Sequence, residues 1–452
     1  MKLVEKLGMV RPTSEAYEKL APGAELDVQS YHKIKSTVHT RLVDLLDFST
    51  IEDVPEQTLK ELIRDVIRDV SVTENVPLNR KEQDTLISDV MDEILGLGPI
   101  EPLLKDDTVQ DILVNTYKQV YVEKKGVLYL TPIQFRDNEH LMQIIDRIVS
   151  TVGRRVDESS PMVDARLSDG SRVNAVIAPL SIDGPMLSIR KFGYTPIQLE
   201  DLLSGNSIVP EIVEFLSGAI KSKLNILLSG GTGSGKTTLL NVLSAFIPTA
   251  ERIITIEDSA ELQLQQPHVV RLESRPPNME GKGDVSIRDL VKNSLRMRPD
   301  RIIIGEVRGA EAMDMLQAMN TGHPGSISTI HANSARDALS RLEVMVGMGA
   351  MTISETALRS LVTSAIHIIV HLARLPDGKR RFISLSEITG MENGKITMQD
   401  IFIFEQEGMD SSGNIFGRFK ATGIPTAFSR HIEHSGIKLS RNIFNFDYKA
   451  GK

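Results

Sequence analysis

A chain of 452 residues exceeds the usual size of one hydrophobic core and points to two or three domains. With 52 basic against 60 acidic residues, a formal net charge of -8, it lacks the whole-chain basic footprint of a nucleic-acid binder. It has no cysteine, which excludes disulfides, zinc knuckles and thiol nucleophiles.

The first residues, MKLVEKLGMVRP, lack the apolar core of a signal peptide. The most apolar later run, AIHIIVHLA from Ala365 to Ala373, is far shorter than the roughly 18 residues that span a bilayer. Both observations imply a soluble cytoplasmic protein without a membrane span. Residues 1–95 are charged with helical periodicity: Leu59, Leu62, Ile63, Val66, Ile67 and Val70 recur along one face, which predicts a small helical bundle.

From GLGPIEPLL (residues 96–104) the texture turns to short strands. QVYVEKKGVLYL predicts a hairpin, and ARLSDGSRVNAVIAP a second, with Asp169-Gly170 as a tight primed turn. Residues 96–195 therefore read as a mixed α/β domain, and residues 196–210, with Pro196 and Gly205, as a linker leading into a helix.

Residues 211–452 alternate strands and helices from KLNILLSG onward, which predicts a mostly parallel sheet with helical crossovers. GGTGSGKT, Gly230 to Thr237, follows the apolar strand NILLS and precedes the helical run TTLLNVLSAF. This is the context a phosphate-binding loop requires. Glycines let successive N–H groups point at phosphate oxygens, and the helix N-terminus adds partial positive charge. Candidate nucleotide contacts are Gly230, Gly231, Thr232, Gly233, Ser234, Gly235, Lys236, Thr237 and Thr238. Lys236 would reach the β and γ phosphates, and Thr237 would offer its hydroxyl to Mg²⁺, so ATP and Mg²⁺ are the expected cofactors.

Open α/β sheets bind ligands at the carboxyl ends of their strands. After RIITI stand Glu257 and Asp258, after RIIIG stands Glu306, and after SISTI stands His331. In RPDRIIIGEVRG, Gly305 occupies the place where a magnesium-binding aspartate is usual. Glu257 is the first candidate to orient or deprotonate water, and Glu306 to hold Mg²⁺ through its hydration shell, with these two roles open to exchange. His331 is placed to sense a γ-phosphate, whereas Asp258 and Glu261 read as solvated strand ends. Positive charge for the transition state is sought in the middle domain, where Arg172 and Arg190 are the candidates. From about residue 375 hairpins dominate, with Asp-Gly and Asn-Gly turns, and GKRR (residues 378–381) reads as a solvated hairpin face.

LSGGTGSGKTTLLN, RIITIEDSAELQL, RLESRPPNMEGKG and the run from DLVKNSLRMRPDRIIIGEVRG to STIHANSARDALSRLE resemble the ATPases of type II and type IV secretion and type IV pili. Within that superfamily the chain is similar to the CpaF/TadA-type ATPases of Tad (Flp) pilus assembly, on GLGPIEPLLKDDTVQDILVN and GRFKATGIPTAF as well. The likeness covers residues of about 95 to 440. It implies an α/β protein with a RecA-like P-loop NTPase domain, and an aspartate box near Glu257, an atypical Walker B strand ending at Glu306 and a histidine box at His331. It further implies a homohexamer in which Arg172 and Arg190 reach a neighbouring nucleotide. Such a ring would dock on inner-membrane platform proteins and drive pilin extraction, a peripheral location reached through partners.

Two alternatives stand beside an ATP-hydrolysing motor. A nucleic-acid motor would be expected to interleave basic and aromatic residues, but aromatics make up 4% of this chain and Trp is absent. A nucleotide-dependent scaffold would differ only in its lack of turnover.

Overall fold

The computed structural model describes residues 34, 35, 37, 38, 41, 42 and 55–450, apart from 75, 77, 125, 193–196, 278–281 and 349–352. Most of the bundle expected before residue 55, and the first residue of the expected linker, lie outside the described residues. The chain divides into two compact units, Met1–Tyr194 and Thr195–Lys452.

In the first unit, α1 (Glu56–Thr73) buries Leu59, Ile63, Val66, Ile67 and Val70, one stripe of a helical repeat. α2 (Arg80–Leu95) starts at Asn79, whose side chain accepts from the Glu82 N–H while the Glu82 carboxylate accepts from the Asn79 N–H. This reciprocal cap satisfies two donors that a helix start leaves open. The stretch expected to begin the strands is instead a 3₁₀ turn at Gly98–Ile100 and a short helix, α3 (Glu101–Lys105). The two prolines of GPIEP stand at first-turn positions, where a missing N–H costs nothing.

Six strands follow: β1 (Asp111–Thr116), β2 (Gln119–Lys124), β3 (Val127–Leu130), β4 (Met162–Arg166), β5 (Arg172–Val176) and β6 (Met186–Arg190). They form one sheet in the order β3-β2-β1-β6-β5-β4, with every pairing antiparallel. Alternate residues such as Ile112, Val114, Val173 and Ala175 pack with Leu141, Ile144 and Ile148 of α4 (Asn138–Thr151). The β4–β5 connection is not a two-residue primed turn. The Leu167 N–H bonds to Ser171 O at 2.9 Å, and only Gly170 has positive φ, at 93°. That is the three-residue loop in which a type I turn ends on a left-handed glycine.

The second unit opens with α5 (Leu199–Ser204), so part of the segment expected as linker is helical, and continues with α6 (Pro210–Lys221). Its strands are β7 (Ile226–Gly230), β8 (Ile253–Glu257), β9 (Val269–Glu273), β10 (Arg301–Val307), β11 (Ile327–His331), β12 (Ile368–Arg374), β13 (Arg380–Glu392), β14 (Lys395–Met409), β15 (Ile415–Ala421) and β16 (Asp447–Ala450). They make one ten-stranded sheet, ordered β16-β15-β14-β13-β12-β7-β11-β10-β8-β9. Five neighbouring pairs from β9 to β12 are parallel and four from β12 to β16 antiparallel. The sheet is thus evenly mixed rather than mostly parallel, because the late hairpins extend it instead of forming a separate layer. Every residue of β7 and of β8 is buried. Ile226 and Leu228 join one core cluster and Leu227 the other, as expected of a strand covered on both faces.

Candidate functional site

The glycine-rich loop links β7 to α7 (Lys236–Ser244). A Cβ at Gly230 would collide with Leu372 O and Ser234 Oγ, while Gly233 and Gly235 hold φ of 68° and 95°. Glycine alone takes all three positions without strain. Ser234 Oγ donates to Gly231 O at 2.9 Å across the loop. The buried Lys236 folds back on the loop and donates from Nζ to Gly230 O at 2.8 Å and to Gly231 O at 2.9 Å. Burial pulls its pKa below the usual lysine range, against the opposing charge of Glu306. Gly231 and Thr232 are exposed, and Thr237 and Thr238 are half-buried on the first turn of α7.

The neighbouring strand ends carry the titratable groups. Parallel pairing of Ile256 with Ile304 brings Glu257 beside Gly305. A Cβ on residue 305 would lie 2.7 Å from Glu257 Cγ, so only glycine leaves the carboxylate its place. Glu257 is 3% exposed; its Oε1 accepts the Glu261 and Leu262 N–H groups at 2.9 Å each, while its Oε2 has no partner among the described residues. Burial drives the pKa of Glu257 up to about 7, opposed by those two backbone hydrogen bonds.

On β10, the register against β11 slips between Ile304 and Val307, a bulge that re-aims the residues between them. Glu306 stands in it. Its Oε1 lies 2.8 Å from His331 Nε2 and its Oε2 accepts from Arg308 Nη2 at 2.7 Å. Arg308 lies 3.7 Å from Asp258 in turn, and its backbone N–H donates to Glu311 Oε1 at 2.7 Å. His331 pairs in register with Gly230. Burial, then the charge of Lys236, lowers its pKa, with Glu306 opposing. Arg308 escaped the sequence reading, although it stands two residues after Glu306 in RIIIGEVRG.

The structure thus gathers the loop, Glu257, Glu306 and His331 on one edge of one sheet. Arg172 and Arg190 belong to the first unit, where both are exposed and face each other across β5 and β6. Arg190 Nε donates to Asp111 Oδ1 at 3.0 Å. GKRR is only half a solvated face: Gly378 and Lys379 are exposed, but the two arginines turn inward. Arg380 Nε donates to Gly233 O at 3.0 Å, and Arg381 is 2% exposed with its guanidinium 4.7 Å above the Phe404 ring. The hairpin lands on the glycine-rich loop because β12 pairs with β7, which nothing in the local sequence announces. Beneath the loop, His371 Nδ1 lies 3.1 Å from Ser229 Oγ, a contact also absent from the sequence reading.

Among the described residues no three His, Asp or Glu side chains gather into a metal cage, and no helix is long and apolar enough to cross a membrane. A magnesium ion that arrives with phosphates needs only one or two protein ligands. The half-buried Thr237 hydroxyl and the Glu306 carboxylate, its two oxygens already beside His331 and Arg308, suit an ion that keeps most of its water.

The family described as type II/IV secretion system protein matches residues 93–419. A Mycobacterium tuberculosis protein, named provisionally for conjugal transfer, is 36% identical over 70% of this chain and 90% of its own length. Conjugal transfer protein TrbB of Rhizobium radiobacter is 32% identical over 61% of this chain and 83% of its own. Type IV secretion system protein VirB11 of Bartonella quintana is 33% identical over 63% and 89%. Among solved structures, the VirB11 ATPase of Brucella suis in complex with sulphate is 28% identical over 64% of this chain and 94% of that chain, with a TM-score of 0.35.

Proposed function

The chain belongs to the type II/IV secretion system protein family, and on that premise we propose that it is a magnesium-dependent ATPase whose hydrolysis drives pilus assembly of the Tad (Flp) kind. The observation that carries the catalytic part is the buried Glu257, with one oxygen tied to backbone N–H groups and the other unpartnered, beside a complete phosphate loop.

ATP binds with its phosphates on the N–H groups from Gly231 to Thr238, and Lys236 leaves its loop carbonyls for the β and γ phosphates. The unpartnered Glu257 Oε2 accepts a proton from the attacking water and so orients it. A base whose pKa is near 7 is half deprotonated at neutral pH and still strong enough to take that proton. Thr237 and Glu306 are the residues that would hold Mg²⁺. The ion, when bound, offsets the charge on the phosphates. His331, with Nε2 against Glu306, holds that carboxylate in place beside the γ-phosphate, and Arg172 and Arg190 of a neighbouring subunit supply positive charge in a homohexamer. The ring works through inner-membrane platform proteins at the cytoplasmic face.

A second reading, transport of a substrate through a conjugal or type IV secretion machine, is favoured by the names of the relatives above. Turnover is tested by phosphate release with Mg·ATP: Lys236→Ala and Glu257→Gln should each abolish it, and normal turnover in Glu257→Gln would remove that residue as base. Stimulation by single-stranded DNA would favour a nucleic-acid motor instead. Deleting the gene separates the two transport readings, because loss of surface pili supports assembly and loss of an exported substrate with pili intact supports secretion.

A further inference from the structure

The β12–β13 hairpin reaches the phosphate loop from the side opposite to Glu257 and Glu306. Its tip runs from Arg374 to Arg380, which are register partners. Arg380 Nε donates to Gly233 O at 3.0 Å, and Arg380 Cδ lies 3.5 Å from where a Cβ on Gly235 would stand. Arg374 Nη1 is 4.0 Å from the corresponding point at Gly233. Two arginines therefore flank the two left-handed glycines that shape the crest of the loop.

The tip is itself held in place. Asp377 accepts from the Lys379 N–H through Oδ1 at 3.0 Å and from the Ile415 N–H of β15 through Oδ2 at 2.9 Å. The Leu375 N–H bonds to Lys379 O at 2.8 Å. Immediately before the tip, Leu372 O packs against Gly230, and on the next residue after Arg380 the Arg381 guanidinium is clamped over Phe404.

We propose that Arg380 is a positioning residue for nucleotide binding: by holding the Gly233 carbonyl outward it keeps the crest N–H groups turned inward toward the phosphates. A peptide unit carries its C=O and N–H on opposite sides, so fixing the carbonyl of Gly233 also fixes the plane of the Ser234 N–H, which makes a long 3.4 Å bond to Gly231 O that phosphate oxygens can replace. Fixing it in advance removes an ordering cost that binding would otherwise meet. The hairpin thereby couples the antiparallel half of the sheet to the nucleotide. The inference rests on the reading of Gly230–Thr237 as a phosphate loop.

The test uses the full chain, a fluorescent ATP analogue and steady-state hydrolysis, with melting temperature as a check on folding. Arg380→Ala should weaken analogue binding and raise KM for ATP about tenfold, the loss of one charge-assisted hydrogen bond, while kcat falls less than threefold. Lys379→Ala removes a positive charge from the same turn without a side-chain contact to the loop, and should change KM less than twofold. Equal effects of the two variants would assign the change to general charge and overturn the proposal, as would an unchanged KM in Arg380→Ala. Lys236→Ala guards the underlying premise. If it binds the analogue as wild type does, the phosphate-loop reading fails; if it loses binding while Arg380→Ala does not, only the positioning role fails.

Discussion

Glu257 occupies the space that a side chain at position 305 would fill: a Cβ on Gly305 would stand 2.7 Å from Glu257 Cγ. Gly305→Ala should therefore push the carboxylate off its position with the phosphate loop untouched. A displacement of about 1 Å costs on the order of 10²-fold in rate. Steady-state hydrolysis should show kcat reduced by about that factor, with nucleotide affinity within twofold of wild type. Equal loss of affinity and kcat would place the damage in the loop instead.

The pKa of Glu257, raised from 4.5 to about 7, makes a prediction for both rate and stability. Protonation removes the base, so kcat/KM should fall below an apparent pKa near 7. For stability the sign is the reverse. A carboxyl whose folded pKa is raised stabilises most below its unfolded pKa, and that contribution disappears as pH rises through 7. Glu257→Gln, which stays neutral, should escape this loss and gain up to about 3 kcal/mol on wild type between pH 4.5 and pH 8. Urea unfolding at the two pH values measures it.

Glu306 is flanked by two bases, His331 at 2.8 Å and Arg308 at 2.7 Å, and this pairing bears on magnesium. Removing the carboxylate charge in Glu306→Gln should raise the Mg²⁺ concentration for half-maximal hydrolysis about tenfold, the scale of outer-sphere effects on metal sites. Arg308→Ala, which leaves that charge uncompensated, should lower it. Movement of both variants in the same direction would detach Glu306 from the ion.

The strand, glycine-rich loop and helix from Ile226 to Ser244 are legible because their signals, glycine spacing included, are all local in the chain. The strand-end carboxylates were legible for the same reason, as each closes an apolar run. What could not be read were the meetings between distant strands. Gly305 looked like a missing ligand, and only the parallel pairing of β8 with β10 shows that it makes room for Glu257. A charged tetrapeptide beside an Asp-Gly turn normally reads as solvated, but the pairing of β12 with β7 sets Arg380 on the glycine-rich loop and Arg381 in the interior. The expected primed turn at Asp169-Gly170 failed over one residue of loop length, which the dipeptide does not specify.

Arg172 and Arg190, exposed register partners on the first unit's sheet, are expected to act on a neighbouring subunit's nucleotide. Alanine at either position should spare analogue binding and slow hydrolysis about 10³-fold. Mixing Arg172→Ala chains with Lys236→Ala chains, each inactive alone, should restore turnover, since some interfaces then pair an intact arginine with an intact loop. A mixture as inactive as its parents would refute donation between subunits.

Arg381 is buried, and among the described residues its Nε and Nη1 have no hydrogen-bond acceptor, a costly arrangement for a cation. Burial holds its pKa below the usual arginine range. Arg381→Met should keep the contact with Phe404 and raise unfolding free energy by about 1 to 2 kcal/mol. A loss of stability in urea titration would mean that the charge is needed where it stands.

β12 is bound on one side by the parallel β7 and on the other by the antiparallel β13, which makes it a seam between the two halves of the sheet. The change of sequence texture near Pro376 therefore makes a poor place to cut the chain. A polypeptide ended there would keep every residue of the glycine-rich loop, yet it would bare the hydrogen-bonding edge of β12 along seven residues, most of them apolar and buried in the intact unit. Such an edge recruits other strands. The shortened protein should come out of cells as aggregate, and the late hairpins should be counted as that edge's cover.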